Sequence, residues 1–230
     1  MPDTLQGLVD VPVDTATPIA PFTILAVCTG NICRSPMLQS MLDARLGATI
    51  SDWQSPGERD HGPLLAVRSA GTRIDPALEQ PPQVSEHLRR LGVPSIVRPP
   101  VALSLAKLAD ADLVLTVTRE QRSAVVRMSP RMVSKSFTLV EFARIVDSLA
   151  STPRSSRASI GSGPDVPAVL RATTTMAARR RGMVPPLPSP SHLDIVDPYR
   201  RSDAVYASVA DAIAGAVDEI VHGLSVLTSR

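Results

Sequence analysis

Phe22-Thr23-Ile24-Leu25-Ala26-Val27-Cys28-Thr29-Gly30-Asn31-Ile32-Cys33-Arg34-Ser35-Pro36 decides how this chain folds. Its first six residues are an apolar run, as in a strand buried on both faces. A tight polar loop follows, and Pro36 then suits the first turn of a helix. Strand, loop and helix start aim backbone N–H groups and the positive end of a helix dipole at one spot. A dianionic phosphate fits that spot. A thiolate at Cys28 would be stabilised by the same field and could attack phosphorus.

The loop holds the parts such an attack needs. Cys28 is the candidate nucleophile. The N–H groups of Thr29, Gly30, Asn31, Ile32, Cys33, Arg34 and Ser35 would cradle the equatorial oxygens as an anion nest. Arg34 suits bidentate contact with two of them, which a lysine could not reproduce. Ser35 can donate its hydroxyl to the Cys28 sulfur. Gly30 is expected to relieve the turn, and Asn31 tolerates left-handed geometry and can brace the loop.

Working outward, Leu64–Ser69, Leu113–Val117 and Ser136–Thr138 read as further strands. Helices are expected over Ser35–Leu46, Pro82–Leu91, Val101–Ala109, Arg119–Met128, Leu139–Leu149 and Ala204–Leu227. Strands alternating with helices imply an α/β fold: a central four-stranded parallel sheet with helices on both faces. Ligands of such sheets bind at the carboxyl ends of the strands, where Cys28 lies.

Composition is consistent with this. The 230 residues are 43% hydrophobic and 20% charged, enough for a sizeable core. A net charge of +2 does not suggest a nucleic-acid partner. No apolar run reaches membrane-spanning length. Both cysteines sit in the one loop, which is no disulfide framework. Residues 1–21 carry Asp3, Asp10 and Asp14 without a basic segment, so a flexible tail rather than a signal peptide is expected, and a cytoplasmic location with it. Residues 22–230 are expected to form one domain, interrupted by a Pro/Arg-rich insertion at about 151–190. That stretch has seven prolines, and six arginines against one acid. Its composition resists packing into a sheet; a local helix is expected over Ala168–Arg181 and loop elsewhere. It could cap the site, bind a partner or do neither. The histidines His61, His87, His192 and His222 are scattered and read as surface residues, so no metal is expected. Arg179–Arg181 reads as a solvated helix end, and Arg119, Glu120 and Arg122 as a solvated helix face.

The loop resembles that of the low-molecular-weight protein tyrosine phosphatases, in its Cys-x5-Arg-Ser spacing near the start of the chain and in Cys33 and Pro36. Ser69-Ala70-Gly71-Thr72 resembles that family's second-strand ending, and Asp197-Pro198-Tyr199 its acid loop. The resemblance implies a phosphatase working through a cysteinyl phosphate without a cofactor, and inhibited by phosphate or vanadate. Its implied partner is a phosphotyrosine protein, often a tyrosine kinase among bacterial relatives. Asp197 would be the general acid, with Asp194 a competitor three residues upstream. Tyr199 would line the substrate groove. Trp53, read as part of the loop after the first helix, is either the opposite wall or a packing anchor. Cys33 either packs beneath the loop or traps an oxidised Cys28 as a disulfide. Ile32 stands where a Thr often stands in relatives that resemble phosphoarginine phosphatases, and so leans toward phosphotyrosine. One departure is Pro94–Val101, which has Arg98 but lacks the family's His. A phosphoarginine phosphatase, an arsenate reductase and an inactive phosphopeptide-binding module are the alternatives. An arsenate reductase would need relay cysteines beyond the loop, and none follows Cys33.

Overall fold

The computed structural model describes residues 20–53, 63–152 and 165–228. Nearly all of the expected tail (residues 1–19), His61 and part of the insertion lie outside the described residues. In chain order the main elements are β1 (Phe22–Cys28), α1 (Arg34–Trp53), β2 (Leu65–Gly71), α2 (Pro82–Arg90), α3 (Leu105–Asp110), β3 (Leu113–Thr116), α4 (Arg119–Met128), β4 (Ser136–Thr138), α5 (Leu139–Ala150), α6 (Val166–Arg180) and α7 (Asp203–Thr228).

The four strands form one parallel sheet in the order β2-β1-β3-β4. The chain leaves β1 toward one side to make β2, then crosses back to make β3. That reversal opens a crevice at the carboxyl end of β1, the place where such sheets take ligands. Alternate residues of β1 face opposite cores. Phe22, Ile24, Ala26 and Cys28 join a large cluster with residues of α1, α5, α6 and α7. Leu25 and Val27 join a smaller one with Leu108, Val114, Val125 and Met132.

One expectation changes here. The first helix does not stop near Gly47 but runs to Trp53. Tertiary contact overrides the weak helix formers of its second half: Ile50 is buried, and Arg45 bonds the Ala214 carbonyl and the Asp218 carboxylate of α7.

The local helix expected in the insertion is present as α6, and among the described residues it packs against the core. Val166, Val169, Leu170 and Ala177 of α6 are buried, and Leu170, Thr173 and Thr174 line one small cavity with Phe22, Ile24, Leu113 and Phe142. Each such Val or Leu contributes about 1.5–3 kcal/mol on burial. Arg171 clamps the helix to the amino end of the sheet. Its Nε donates to Asp112 Oδ1 at 3.0 Å, while Asp112 Oδ2 accepts from the Thr23 N–H. At the other end, Arg181 donates to Glu141 and to the Val133 and Ser136 carbonyls, and stacks 4.2 Å over the Phe137 ring. Arg181 is therefore a structural clamp and not a solvated helix end. Its neighbour Arg180 donates to Thr152. His87 is also not a surface residue: it is buried, with Nε2 2.8 Å from Asp203 at the start of α7.

Candidate active site

Chain geometry builds the loop between β1 and α1. Asn31 takes the left-handed conformation, φ 57°, which reverses the backbone over Cys28. Its N–H then donates to Cys28 Sγ at 3.2 Å. Ser35 Oγ lies 2.9 Å from the same sulfur. Two donor groups thus converge on Cys28, which suits a sulfur anion. The start of α1 faces the same point. Unlike α4 and α5, whose first turns carry Glu120 and Glu141, α1 has no acidic residue there. Its positive end is left for a ligand.

The loop is braced from three sides. Asn31 Nδ2 donates to Ser35 Oγ and Ser69 Oγ, and Asn31 Oδ1 accepts from the Val101 N–H at 2.8 Å. Ser69 donates onward to Gln39. Gln121 Nε2 donates to Thr29 Oγ1 at 3.1 Å. The Val101 backbone thus braces the loop from the Pro94–Val101 stretch, and Gln39 braces it from α1 through Ser69. Sequence reading did not pick out Gln39 or Gln121. Neither has a motif, and both reach the loop only through packing.

Gly71 is the tightest point behind the loop. A Cβ there would stand 2.5 Å from the Thr29 carbonyl oxygen and 3.1 Å from the Asn31 nitrogen. Gly30 makes no such demand, since a Cβ would meet only Ile32 side-chain atoms at 3.6 Å and beyond. The expected turn-relieving role therefore passes from Gly30 to Asn31, with Gly71 supplying the clearance. Gly71→Ala must push the Thr29–Asn31 backbone, at a cost of about 1–3 kcal/mol in stability. A nucleophile displaced by a fraction of an ångström should lower kcat/KM by ~10–100-fold. Gly30→Ala should cost far less stability; melting curves and steady-state kinetics of the two variants check the contrast.

Arg34 is buried and reaches across the pocket to the segment before α7. Its Nη1 donates to the Ile195 carbonyl at 3.0 Å, and its Nη2 to Asp197 Oδ2 at 2.7 Å. Its Nε is buried without a partner among the described residues. An unpaired N–H on a buried guanidinium is costly unless a ligand takes it. Together with Nη2 it forms the fork that suits a phosphoryl group.

Asp197 lies half exposed at the mouth, and its Oδ1 accepts from the Tyr199 N–H. Asp194 does not compete for its place. Arg119 holds it through its backbone N–H at 2.7 Å and its guanidinium. Burial pushes the Asp194 carboxyl up, but the Arg119 hydrogen bonds outweigh this and leave it below the usual range. Asp194 thus anchors the segment before α7 to the start of α4, and Arg119, exposed as a solvated face implies, also supplies that anchor.

The pocket has a volume of about 430 Å³. Cys28, Cys33, Arg34 and Asp197 line it, with Ile32, Ile74, Leu78 and Tyr199 as apolar surfaces and Arg73 and Asp75 on the wall after β2. Trp53 does not line it. It ends a 20-residue helix that starts at Arg34, ~28 Å further along at 1.5 Å per residue, and packs against the core. The opposite wall is the segment Arg73–Leu78 instead. No described residue of the insertion lines the pocket, so α6 does not cap it. Cys33 packs beneath the loop, 3.8 Å from the Tyr206 hydroxyl. Burial pushes its thiol up to about 12, despite the Tyr206 hydrogen bond and nearby Arg34.

Comparison with known proteins places this geometry. The low molecular weight phosphotyrosine protein phosphatase family is matched over residues 23–150. A protein-arginine-phosphatase of Bacillus subtilis (strain 168) is 31% identical over 121 residues, 52% of this chain and 71% of the relative. One from Geobacillus stearothermophilus is 29% identical over 133 residues, 58% of this chain and 79% of the relative. Among solved structures, the tyrosine phosphatase amsI of Erwinia amylovora has a TM-score of 0.56 at 20% identity, covering 90% of this chain and 95% of its own. The YwlE arginine phosphatase of Geobacillus stearothermophilus has a TM-score of 0.54 at 21% identity, covering 89% and 94%. At those identities the likeness is one of fold. The matched residues stop at the insertion, so the acid loop and α7 are joined to the site by the fold.

Proposed function

Since the chain belongs to the low molecular weight phosphotyrosine protein phosphatase family, and so is a phosphatase, we propose that it hydrolyses phosphotyrosine in proteins through a cysteinyl phosphate on Cys28. The observation that carries this reading is one pocket lined by Cys28, Arg34 and Asp197, with Ile32, Ile74, Leu78 and Tyr199 able to flank a flat aryl ring.

The chemistry follows from the positions. An incoming phosphate dianion takes the loop N–H groups and the Arg34 fork, displacing the Asp197 carboxylate from Nη2. The released carboxyl picks up a proton at the pocket mouth. The Cys28 sulfur anion attacks phosphorus, the bond from phosphorus to the tyrosyl oxygen breaks, and Asp197 hands its proton to that oxygen. Water then attacks the cysteinyl phosphate while the Asp197 carboxylate accepts a proton from that water. The phosphorus–sulfur bond breaks and phosphate leaves. Phosphate and vanadate, which fit the same cradle, are expected to inhibit. Cys33 shares the pocket with Cys28, so redox protection belongs to the same proposal. Oxidised Cys28 in its sulfenic form would condense with the Cys33 thiol, giving a disulfide and water.

A second reading, phosphoarginine, is favoured by the two relatives that carry the name protein-arginine-phosphatase and by the Asp75 carboxylate on the pocket wall, which could meet a guanidinium. Ile32 supports the first reading. It is apolar and buried where it lines the pocket, and offers a guanidinium no hydrogen bond. With matched peptides, kcat/KM for phosphotyrosine should exceed that for phosphoarginine by ~100-fold, the scale on which one pocket residue discriminates. Ile32→Thr should narrow the gap. Equal or reversed preference in the wild type would overturn the phosphotyrosine reading in favour of the second.

A further inference from the structure

A second concave site lies directly behind the phosphate loop, on the far side of Asn31. It is a pocket of about 180 Å³ lined by Asn31, Gln39, Arg68, Arg98 and Lys107 among others, and no carboxylate lines it. Three cations line one small hollow and make a positive spot, offset in part by Asp43, whose carboxyl lies beside the hollow near Arg98 and Gln39. Among the described residues one ion pair reaches its lining, Arg68 to Asp110; it is long at 3.9 Å, with both side chains more than half exposed. It leaves Arg68 available.

The surroundings are unusual for a solvent face. Eight large apolar side chains are exposed among the described residues, and Ile96, Val97, Val101 and Leu105 are half of them. All four lie within ten residues of chain at this pocket, and Ile96 and Val101 line it. An exposed aliphatic cluster beside a basic hollow marks an interaction surface.

We propose that this surface docks an acidic segment of the protein substrate, with carboxylates seated among Arg68, Arg98 and Lys107 and apolar neighbours on Ile96 and Val101. Charge complementarity selects the occupant. Nucleic acid would call for aromatic stacking partners, and none lines the pocket. A membrane would favour a convex face, whereas here amide groups of Gln39 and Gln80 line a hollow. The position fits a substrate contact. Asn31 lines this pocket while its neighbours Gly30 and Ile32 line the catalytic one, so one polypeptide could engage both. The docking role rests on the phosphatase reading, but the surface itself can be tested without it.

The probe is a fluorescent, unphosphorylated random Glu–Tyr copolymer, followed by anisotropy against the full chain. Arg68→Glu, Arg98→Glu and Lys107→Glu combined should weaken its binding ~10-fold or more, and raised salt should do the same to the wild type. The milder replacement of all three by Gln should give a smaller loss in the same direction. A control with the same change in net charge, Arg127→Glu, Arg131→Glu and Arg179→Glu, should leave binding intact. On the tyrosine-phosphorylated copolymer the first variant should raise KM, while kcat/KM for p-nitrophenyl phosphate stays unchanged, which also shows that it folds. Equal losses in the control, or no loss in either triple variant, would overturn the proposal. So would binding to phosphatidylserine vesicles that depends on the three cations in the absence of copolymer binding, which would assign the surface to membrane. If copolymer binds as expected but no phosphate ester is hydrolysed, the catalytic reading fails and the surface stands.

Discussion

Cys28→Ser should abolish turnover of aryl phosphates, by on the order of 10⁵–10⁶-fold in kcat, as when a nucleophile is removed from an intact site. It should leave the fold and phosphate binding in place. The cradle is made by backbone N–H groups, the start of α1 and Arg34, none of which depends on the sulfur. Replacing sulfur by oxygen keeps a small side chain in a site that is almost fully buried, so melting temperature should hardly move. Only the nucleophile changes, because a serine hydroxyl has no base beside it to remove its proton. Alkylation adds a second measurement. Cys33, pushed up to about 12 chiefly by burial, stays a thiol at neutral pH and should not react. Iodoacetamide at pH 7 should therefore label the wild type once, at Cys28, and Cys28→Ser not at all. Bound phosphate should protect the wild type. Turnover within a hundredfold of wild type in the serine variant, or label at Cys33 alone, would contradict the assigned roles.

Arg34→Lys should be nearly as damaging, lowering kcat by ~10³–10⁵-fold, the range found when a guanidinium that stabilises a transferring phosphoryl group is lost. A lysine keeps the charge but not the fork. It can present one ammonium to one oxygen, whereas Arg34 brings Nε and Nη2 to bear together while Nη1 keeps its bond to the Ile195 carbonyl. The substitution also cuts the link between the start of α1 and the acid loop, which leaves Asp197 without its resting partner. The loss should appear in kcat with aryl phosphates, and phosphate should inhibit the variant less well. Asp197→Asn separates the two effects. It removes the proton donor but not the fork, so its loss should grow as the leaving group becomes more basic, and that of Arg34→Lys should not. An Arg34→Lys enzyme within tenfold of wild type would remove the guanidinium from the mechanism.

The parts of this protein legible in its sequence are those made by neighbours along the chain. The loop from Cys28 to Ser35 is set by local geometry. An apolar strand, a residue able to turn left-handed at Asn31 and a helix start determine where the N–H groups point. The central strands β1 and β3 were equally legible, because strands buried on both faces are nearly continuous apolar runs. The insertion's local helix was legible but its buried face was not, because seven prolines and an excess of arginine give no sign of what the helix packs against. In the structure Arg171 and Arg181 have definite acceptors, and the aliphatic residues between them face the core. Trp53 misled because Gly47 and the β-branched residues after it argue against a helix, and only contact with α7 shows that the helix continues.

Sequence alone therefore determined that a cysteine, a cradle of amides and an arginine share one loop on a parallel sheet. Their spacing is covalent, and the backbone has few ways to span it. Tertiary structure decided what that loop faces. The pairing of Arg34 with Asp197 spans 163 residues, Asp194 is withdrawn by Arg119, and Ser69, Gln39, Gln121 and the Val101 N–H hold the loop from outside. Those contacts depend on strand register and on which helix faces meet, and only the packed chain establishes both.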